Sequence, residues 1–374
     1  MTSIVHDYGE LRELEGEWRA LAERRGNVFI TPEWFRCWLA HYGDEAGPFV
    51  PVLRRPDGTL AGLLPLVLTR PGRRRVLRLA GSSLGDRFHP VCDPDDEVEV
   101  ARSAGAALAS SSEDWSALAL ERADCAQPWV SALRDGAGIR LHSTARTAAD
   151  LPQIDLARYG SWEQYLASRS KNLRQQIRRV SRRTDREHAM RTFTCDDPDQ
   201  VEEAVAAFFE LHDHRWSDHS SLTSPRARAF LTDLAKTLLA RDWLRLWFLE
   251  LDGRLAASWY GWRLGDCYSY YNSGFDPLWS SVSPGLLLMA KVIESAFEEG
   301  AARFDMLLGE HRHKLRLADG NDTVSDVTVT RALPHPAAIA ASAEHGARWV
   351  GRRLPAQLQQ RLGDMRLSPR ARRR

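Results

Sequence analysis

Lysine is scarce in this chain, because only four of its 51 basic residues are lysines, at positions 171, 236, 291 and 314. A GC-rich genome favours arginine codons, and a lysine kept under that bias is weakly enriched where a compact ammonium does what a guanidinium cannot. Net charge is lacking too, since 51 Lys+Arg against 50 Asp+Glu give a formal charge of +1. This balance removes any global electrostatic argument for a nucleic-acid or membrane partner.

Cysteines and long apolar runs are also few. The five cysteines lie far apart and form no C-x-x-C pair, which is typical of reduced thiols and excludes a zinc ribbon or a disulfide framework. The longest apolar run, around residues 60–68, is far below the ~20 residues of a membrane-spanning helix. We therefore expect a soluble, cytoplasmic protein without a membrane partner, whose oligomeric state the sequence does not specify.

What is present is the composition of an ordered globular protein, with 43% hydrophobic residues in a chain of 374. Helical and strand periodicities alternate, which predicts an α/β (α+β) fold. The pentapeptide D-G-x-L-A occurs at 57–61 and again at 252–256, each time after two predicted helices and before strand, helix, strand. The shared order indicates two copies of one domain, although hairpin chemistry alone could produce the match.

A basic segment, residues 161–183, separates the two copies. It carries seven cations around an apolar stripe, namely Arg169, Lys171, Arg174, Arg178, Arg179, Arg182 and Arg183. Two interpretations stay open: a solvated helix face on the domain junction, or a cradle for a phosphate-bearing ligand. The predicted division is thus an N-terminal domain at 1–155, a basic connecting helix at 156–190, a C-terminal domain at 191–335, and a helix with a basic tail at 336–374.

A small-residue turn opening the helix at 284–299 is the best candidate for an anion site. Ser283 is predicted to cap the helix, Pro284 has no amide, and Gly285 lets a ligand approach the backbone. The amides of Gly285, Leu286 and Leu287 would then face the anion. The matching turn of the first half carries acidic residues at 95–97, which would repel a diphosphate. An ordinary capped helix is the alternative.

Ionisable and aromatic residues gather around this turn. Eight aromatic residues fall within the 21 residues from 259 to 279. Four ionisable residues, Glu310, His311, His313 and Lys314, follow the last predicted strand of the second half. Glu310 or His313 could deprotonate an amine, and Lys314 could stabilise developing negative charge. A metal site is not expected, because the His-x-His pair lacks further ligands.

These motifs, taken in order, resemble the CelD/BcsL-type acetyltransferases. The matching segments are 27–34, 62–66, Gly85-Asp86, 168–174, 211–216, 270–277, Ser283-Pro-Gly285 and 304–314. That group is similar to the FemAB aminoacyltransferases and belongs to the GNAT superfamily. The resemblance implies two tandem GNAT-like domains, each a mixed, mainly antiparallel twisted sheet flanked by helices, of which the first binds no acyl-CoA.

The resemblance also implies roles for individual residues. Acetyl-CoA or another acyl-CoA would bind at the Ser-Pro-Gly turn, through Ser283, Gly285, Leu286, Leu287 and Asn272. The catalytic candidates are Glu310, Lys314, Tyr271 and His313, with His313 replacing the usual tyrosine. The acceptor would contact Asp86, Lys171, Arg174, Trp216 and Tyr270.

Three functions compete at this stage. The leading one is an acyl-CoA-dependent N-acyltransferase that acts on a small-molecule or saccharide-like amine. The second is a FemAB-like aminoacyltransferase that uses aminoacyl-tRNA, and the third is a non-catalytic binding protein on a GNAT scaffold. Acceptor identity and acyl chain length are beyond the sequence.

Overall fold

The computed structural model describes residues 1–44, 46–70, 75–111, 114–126, 128–138, 141–216, 221–309 and 312–331. The predicted helix and basic tail at 336–374 lie outside the described residues. The mixed α/β fold that the sequence predicts is confirmed, with helices flanking two sheets.

The described helices and strands follow in chain order. The helices are α1 (Tyr8–Arg25), α2 (Pro32–Tyr42), α3 (Glu97–Ser110), α4 (Trp129–Gly136), α5 (Trp162–Ser168), α6 (Lys171–Glu187), α7 (Val201–Trp216), α8 (Pro225–Leu239), α9 (Pro284–Glu298) and α10 (Arg312–Leu317). The strands are β1 (Thr2–Val5), β2 (Ala46–Pro48), β3 (Val50–Arg54), β4 (Leu60–Leu63), β5 (Leu66–Thr69), β6 (Val76–Leu79), β7 (Val91–Cys92), β8 (Ala117–Asp124), β9 (Leu141–Asp155), β10 (Met190–Thr194), β11 (Leu244–Leu251), β12 (Arg254–Leu264), β13 (Cys267–Phe275), β14 (Arg303–Asp305) and β15 (Gly320–Arg331). A 3-10 turn, Pro277–Val282, precedes α9.

Local sequence signals account for several of these boundaries. Thr31 caps α2 by accepting the amide of Trp34 at 3.1 Å, and Pro32 occupies the first turn. Asp252 and Gly253 both have positive φ, which suits the tight β11–β12 hairpin. The basic segment forms two helices rather than one, because Ser170 accepts the amide of Leu173 and starts α6 afresh.

The sheets have the orders β1-β3-β4-β7 and β10-β11-β12-β13-β14-β9-β15-β8-β6-β5-β2. The second sheet is largely antiparallel, but β13 pairs with β14 and β6 with β8 in parallel. Each half runs through a strand, two helices, several strands, a helix, a strand, a helix and a final strand. This order contains the shorter one that the sequence predicts, namely two helices, a hairpin, a strand, a helix and a strand.

The final strands of the two halves are exchanged within the larger sheet. Strand β9, the last of the first half, pairs with β14 of the second half, whereas β15 pairs with β8 of the first half. The two exchanged strands also pair with each other along their length. The halves therefore share one sheet, and the domain boundaries at 155 and 190 stay a prediction.

The larger sheet separates two hydrophobic cores. One core contains Trp262 and packs against α2, α7 and α8, while the other contains Trp259 and packs against α5, α6 and α9. Consecutive strand residues point to opposite faces. Strand β12 therefore supplies large aromatic side chains to both cores, which accounts for much of the aromatic density at 259–279.

Strands β13 and β14 form a fork beside α9. They pair for only three residues each, ending at Ser269 and Asp305, after which β13 continues to Phe275. Helix α9 connects the two strands, as parallel pairing requires. We call the space between residues 270–275 of β13 and the segment 305–308 the fork.

Candidate functional site

The turn that starts α9 differs in detail from the sequence prediction. Ser283 has φ 48° and ψ 56°, and its side chain makes no capping hydrogen bond. Its carbonyl instead accepts the amides of Leu286 at 3.0 Å and Leu287 at 3.2 Å. The expectation of a side-chain cap is therefore wrong, and two of the three amides expected to face a ligand are already engaged. Gly285, which is half-buried, lies in the turn without a side chain to cover its backbone.

A cavity of about 280 Å³ opens at this turn. Its walls come from β12, β13, the 3-10 turn, α9 and Leu317, and include Trp259, Tyr270, Phe275 and Met289. A methyl group added to Gly285 would meet only the Phe275 ring, at 4.0 Å, so the glycine leaves space inside the cavity. Among the described residues, the lining carries no acidic side chain.

Tyr270 forms the wall between the cavity and a buried cation. Its ring stacks on Trp259 with centroids 5.6 Å apart, and its hydroxyl shares a 2.5 Å hydrogen bond with Ser273. The ammonium of Lys314 lies 4.6 Å from the centre of the same ring. A cation at this distance is attracted to the ring face, so Lys314 and Tyr270 position one another.

Lys314 is 3% exposed and holds the segment that follows β14. Its Nζ donates to the carbonyls of Met306 at 2.7 Å and Leu308 at 2.6 Å. A charged donor to two carbonyls makes stronger hydrogen bonds than a neutral one. Lys314 therefore places positive charge beside the fork and fixes the path of one of its sides.

Asp86 reaches the same segment from the first half. Its Oδ2 accepts the amide of Leu308 at 3.3 Å, and its Oδ1 accepts from Arg122 at 3.4 Å. Burial raises the pKa of Asp86 to about 6, although Arg122 and Lys314 act in the opposite direction. A carboxyl with this pKa changes its charge near neutral pH, which is a frequent property of functional groups.

Tyr271 faces away from the cavity. Its hydroxyl donates to the carbonyl of Leu84 at 2.9 Å, and its ring packs on Trp262 and Phe29 in the other core. Burial raises its pKa well above the usual value of a tyrosine. These contacts give Tyr271 a role in joining the halves, and its catalytic role stays a prediction.

An ionic cluster between the halves is a feature that sequence reasoning missed. The buried Arg87 lies 3.4 Å from Asp124, 3.4 Å from Asp305 and 2.7 Å from Asp322. The last pair is 235 positions apart in the chain. The one local sequence feature near this cluster is the Gly85-Asp86 motif that precedes Arg87. That motif does not predict which carboxylates pair with Arg87.

A wide open groove of about 1090 Å³ lies in the first half. Trp38, Tyr42, Ser82 and Ser83 line it. The loop that begins with these serines continues to Leu84 and Asp86, which contact Tyr271 and Leu308 of the second half. One short loop thus connects the groove to the fork.

The remaining predicted residues are not brought into the cavity. Asn272 accepts the amide of Ser273, Arg174 donates to the carbonyls of Ala167 and Arg169, and Lys171 is exposed at the start of α6. Trp216 ends α7 and His313 lies in α10, but the structure describes neither side chain. Glu310 lies outside the described residues. Their site roles stay predictions.

Neither a metal cluster nor a membrane-spanning helix occurs in the part of the chain that the structure describes. The described parts of the chain hold no group of three or more His, Cys, Asp or Glu side chains arranged to bind a metal ion. Among the same residues, every helix is too short or too polar to cross a membrane.

Comparisons with known proteins place an enzyme domain on this fold. Residues 171–315 match the model of the acetyltransferase (GNAT) domain family. The match begins with α6, includes the fork and all of the cavity lining except Leu317, and ends in α10. The protein is therefore an acyltransferase with a GNAT domain in this region. A search of curated proteins finds no match.

Solved structures with the same fold are distant in sequence. The chain is similar to FemX, with a TM-score of 0.61 at 10% identity over 85% of this chain and 96% of the other. It is similar to the C-terminal domain of a putative lysylphosphatidylglycerol synthetase from Agrobacterium fabrum. The TM-score is 0.57 at 15% identity, over 90% of this chain and 96% of the other. It is also similar to L-PGS from Bacillus licheniformis, with a TM-score of 0.53 at 13% identity over 90% of this chain and 97% of the other.

Proposed function

We propose that the protein is a CelD/BcsL-type N-acyltransferase that uses acyl-CoA, with acetyl-CoA as the first candidate, to acylate an amine on a small molecule or saccharide. The observation that carries this proposal is the cavity at the start of α9, whose lining includes Tyr270, the ring that the buried ammonium of Lys314 contacts. We also propose that the protein acts in the cytoplasm and that its acceptor is a small molecule. The acceptor itself is not specified.

The residues around the cavity fit an acyl-CoA. The rings of Trp259, Tyr270 and Phe275 suit an acyl chain and its linker, while Ser283 and Gly285 at the helix N-terminus suit a phosphate. The corresponding turn of the first half is different, because its carboxylates already pair with arginines: Asp93 with Arg24, and Glu97 with Arg25. We therefore place the acyl donor in the second half alone.

Bound acyl-CoA would supply an activated acyl carbonyl, whose C–S bond breaks as the amine nitrogen forms the new C–N bond and the thiolate leaves. Lys314 would contribute fixed positive charge at the fork, where negative charge develops during transfer. Asp86 is the described group whose pKa suits holding a proton at its carboxyl near neutral pH. The groove of the first half would admit the acceptor, because loop 82–87 leads from it to Asp86.

A second candidate donor is aminoacyl-tRNA. The exposed cations of α6 favour it, because they could pair with the phosphates of a tRNA. The compact cavity favours acyl-CoA. A non-catalytic scaffold is the least favoured candidate, since it gives no reason to bury a lysine and a carboxyl of raised pKa at one fork.

Thermal unfolding with candidate donors tests the proposal. Acetyl-CoA should raise the melting temperature of the full chain, because a ligand that binds only the folded state stabilises it. A shift with uncharged tRNA alone, falling steeply with salt, would favour the second donor. No shift with acetyl-CoA or longer acyl-CoAs at millimolar concentration would refute the proposal.

A further inference from the structure

Helix α6 presents a continuous stripe of cations to solvent. Lys171, Arg178, Arg182 and Arg186 recur at spacings of seven, four and four residues, and Arg179 lies beside them. All five are exposed. The buried positions 173, 177, 180 and 184 occupy the opposite face, which packs on α9. The stripe extends roughly 22 Å, at about 1.5 Å per helical residue.

Most of this positive charge is not neutralised by neighbouring carboxylates. Arg183 and Arg186 share Glu187. Within the described ranges, by contrast, Lys171, Arg178, Arg179 and Arg182 have no ion pair. A single phosphate group is far smaller than the stripe, so its length indicates an extended anionic surface as the partner.

Exposed apolar side chains surround the same helix. Apart from Met1, the large hydrophobic residues exposed among the described positions are Leu278 at 82%, Leu315 at 45% and Met190 at 38%. Single exposed apolar side chains are ordinary, but all three of these belong to elements next to α6. Met190 begins the strand that follows α6, and the other two belong to elements on its flanks.

Two contacts fix those flanking elements. The ring of His188, just after α6, lies 5.2 Å from Trp279, the neighbour of Leu278 in the 3-10 turn. On the other element, Arg316 of α10 donates to Gln176 of α6 at 3.0 Å, which places α10, the helix that carries Leu315, beside α6. The cations of α6 and the exposed Met190, Leu278 and Leu315 therefore lie on adjoining elements, whose exposed side we call the α6 face.

We propose that the α6 face docks on a lipid bilayer that contains anionic phospholipids. The cations would lie at the headgroups, and Leu278, Leu315 and Met190 would enter the boundary with the acyl chains. The phosphates of an RNA backbone could pair with the cations, but they would offer no apolar contact to the exposed leucines. The bilayer is therefore the favoured partner. The formal charge of +1 conceals this local segregation.

Docking would bring the ligand cavity to the membrane. Leu278 belongs to the same 3-10 turn as Ser280, which lines the cavity, and Ser283 follows directly. One wall of the cavity therefore adjoins the docking surface. The proposal does not rest on the identity of the acyl donor, because it uses no group inside the cavity.

Co-sedimentation of the full chain with vesicles tests the charge component. Vesicles of equal phosphatidylglycerol and phosphatidylcholine should bind the protein, more weakly as salt rises, and phosphatidylcholine alone should not. The variant R178Q/R179Q/R182Q should lose about 100-fold in partitioning, since each cation near an anionic surface contributes about fivefold. The matched control R12Q/R70Q/R102Q, on exposed arginines of the first half, should bind as the wild type does.

A second variant tests the apolar component and separates the two kinds of partner. L278S/L315S keeps every charge and, because both side chains are exposed, should fold normally, yet it should lose more than about tenfold in vesicle binding. Absence of binding to anionic vesicles, or equal binding by the arginine variant and its control, would overturn the proposal. Tight binding of tRNA that L278S/L315S retains, with no vesicle binding, would assign the α6 face to RNA instead.

Discussion

Lys314 is a buried lysine in a chain that has few lysines. Its ammonium satisfies two carbonyls and faces the ring of Tyr270. An arginine is bulkier and presents a planar fork rather than a point charge. The scarcity of lysine thus indicated a position where a compact ammonium is needed in the case of Lys314. Lys171, by contrast, is exposed at the start of a helix.

Replacing Lys314 by methionine should reduce kcat by about 100-fold, the cost of losing one preorganised charge at a reacting centre. Lys314→Arg should not restore the rate. The stability should also fall, because each buried carbonyl left unpaired costs about 1–3 kcal/mol. Lys291→Met, on the half-exposed face of α9, is the control and should keep both rate and stability. Equal kcat values in the two methionine variants would contradict the role assigned to Lys314.

Asp86 should make the protein less stable as pH rises. Its folded pKa of about 6 lies above its value of 3.8 in the absence of the fold. The native state therefore holds the proton more tightly than the unfolded state does. The resulting loss of folding stability is absent below pH 4, grows between pH 4 and 6, and reaches its full size above pH 6. Two units correspond to about 3 kcal/mol.

The variant Asp86→Asn removes that ionisation. It should gain stability relative to the wild type as pH rises from 4 to 7, while its activity falls because the proton acceptor is lost. Urea unfolding of both proteins across this range measures the difference, with the exposed Asp185→Asn as control. If the free energy of unfolding of the wild type instead rose relative to that of Asp86→Asn with increasing pH, the predicted direction of the pH dependence would be wrong.

At the scale of elements, the β13–α9–β14 unit creates the site. Strand β13 outlasts its pairing with β14, so the fork opens where α9 begins. The sequence predicted both strands, the helix and its first turn, because hairpin, capping and periodicity signals are local. It did not predict the left-handed conformation of Ser283, since a serine carries no local signal for it.

Gly285→Ala separates helix stability from ligand binding. Alanine should stabilise the first turn of α9 by roughly 0.5–1 kcal/mol, because glycine is a poor helix former. The added methyl group would occupy cavity space, so the KM for the acyl donor should rise severalfold while kcat changes little. Gly16→Ala in α1, where a methyl group meets nothing within 4 Å, should stabilise without changing KM. Unchanged KM in Gly285→Ala would place the donor elsewhere.

At the scale of the whole molecule, exchanged strands and an ionic cluster bind the halves together. Because β9 and β15 cross between halves, Asp305 and Asp322 come to surround Arg87 of the first half. Sequence reasoning could predict two repeated units from their hairpins. It could not predict this exchange, since strand pairing across more than 200 residues leaves no local pattern.

Arg87→Met should destabilise the protein by about 3–5 kcal/mol, because it leaves three nearby carboxylates without their shared cation. Arg24→Met removes an exposed ion pair with Asp93 and should cost at most about 1 kcal/mol. Urea unfolding compares the two variants. Similar losses would mean that the cluster does not hold the halves together.

Calorimetric titration of acetyl-CoA into the full chain tests the central claim most directly, with Ser283→Asp as the paired variant. We expect the wild type to bind, and we expect the variant to lose most of its affinity because a carboxylate at the start of α9 repels a phosphate. Asp86→Asn, which leaves the Ser283 turn unchanged, should still bind. A wild type that does not bind acetyl-CoA, or a Ser283→Asp variant with unchanged affinity, would contradict the account.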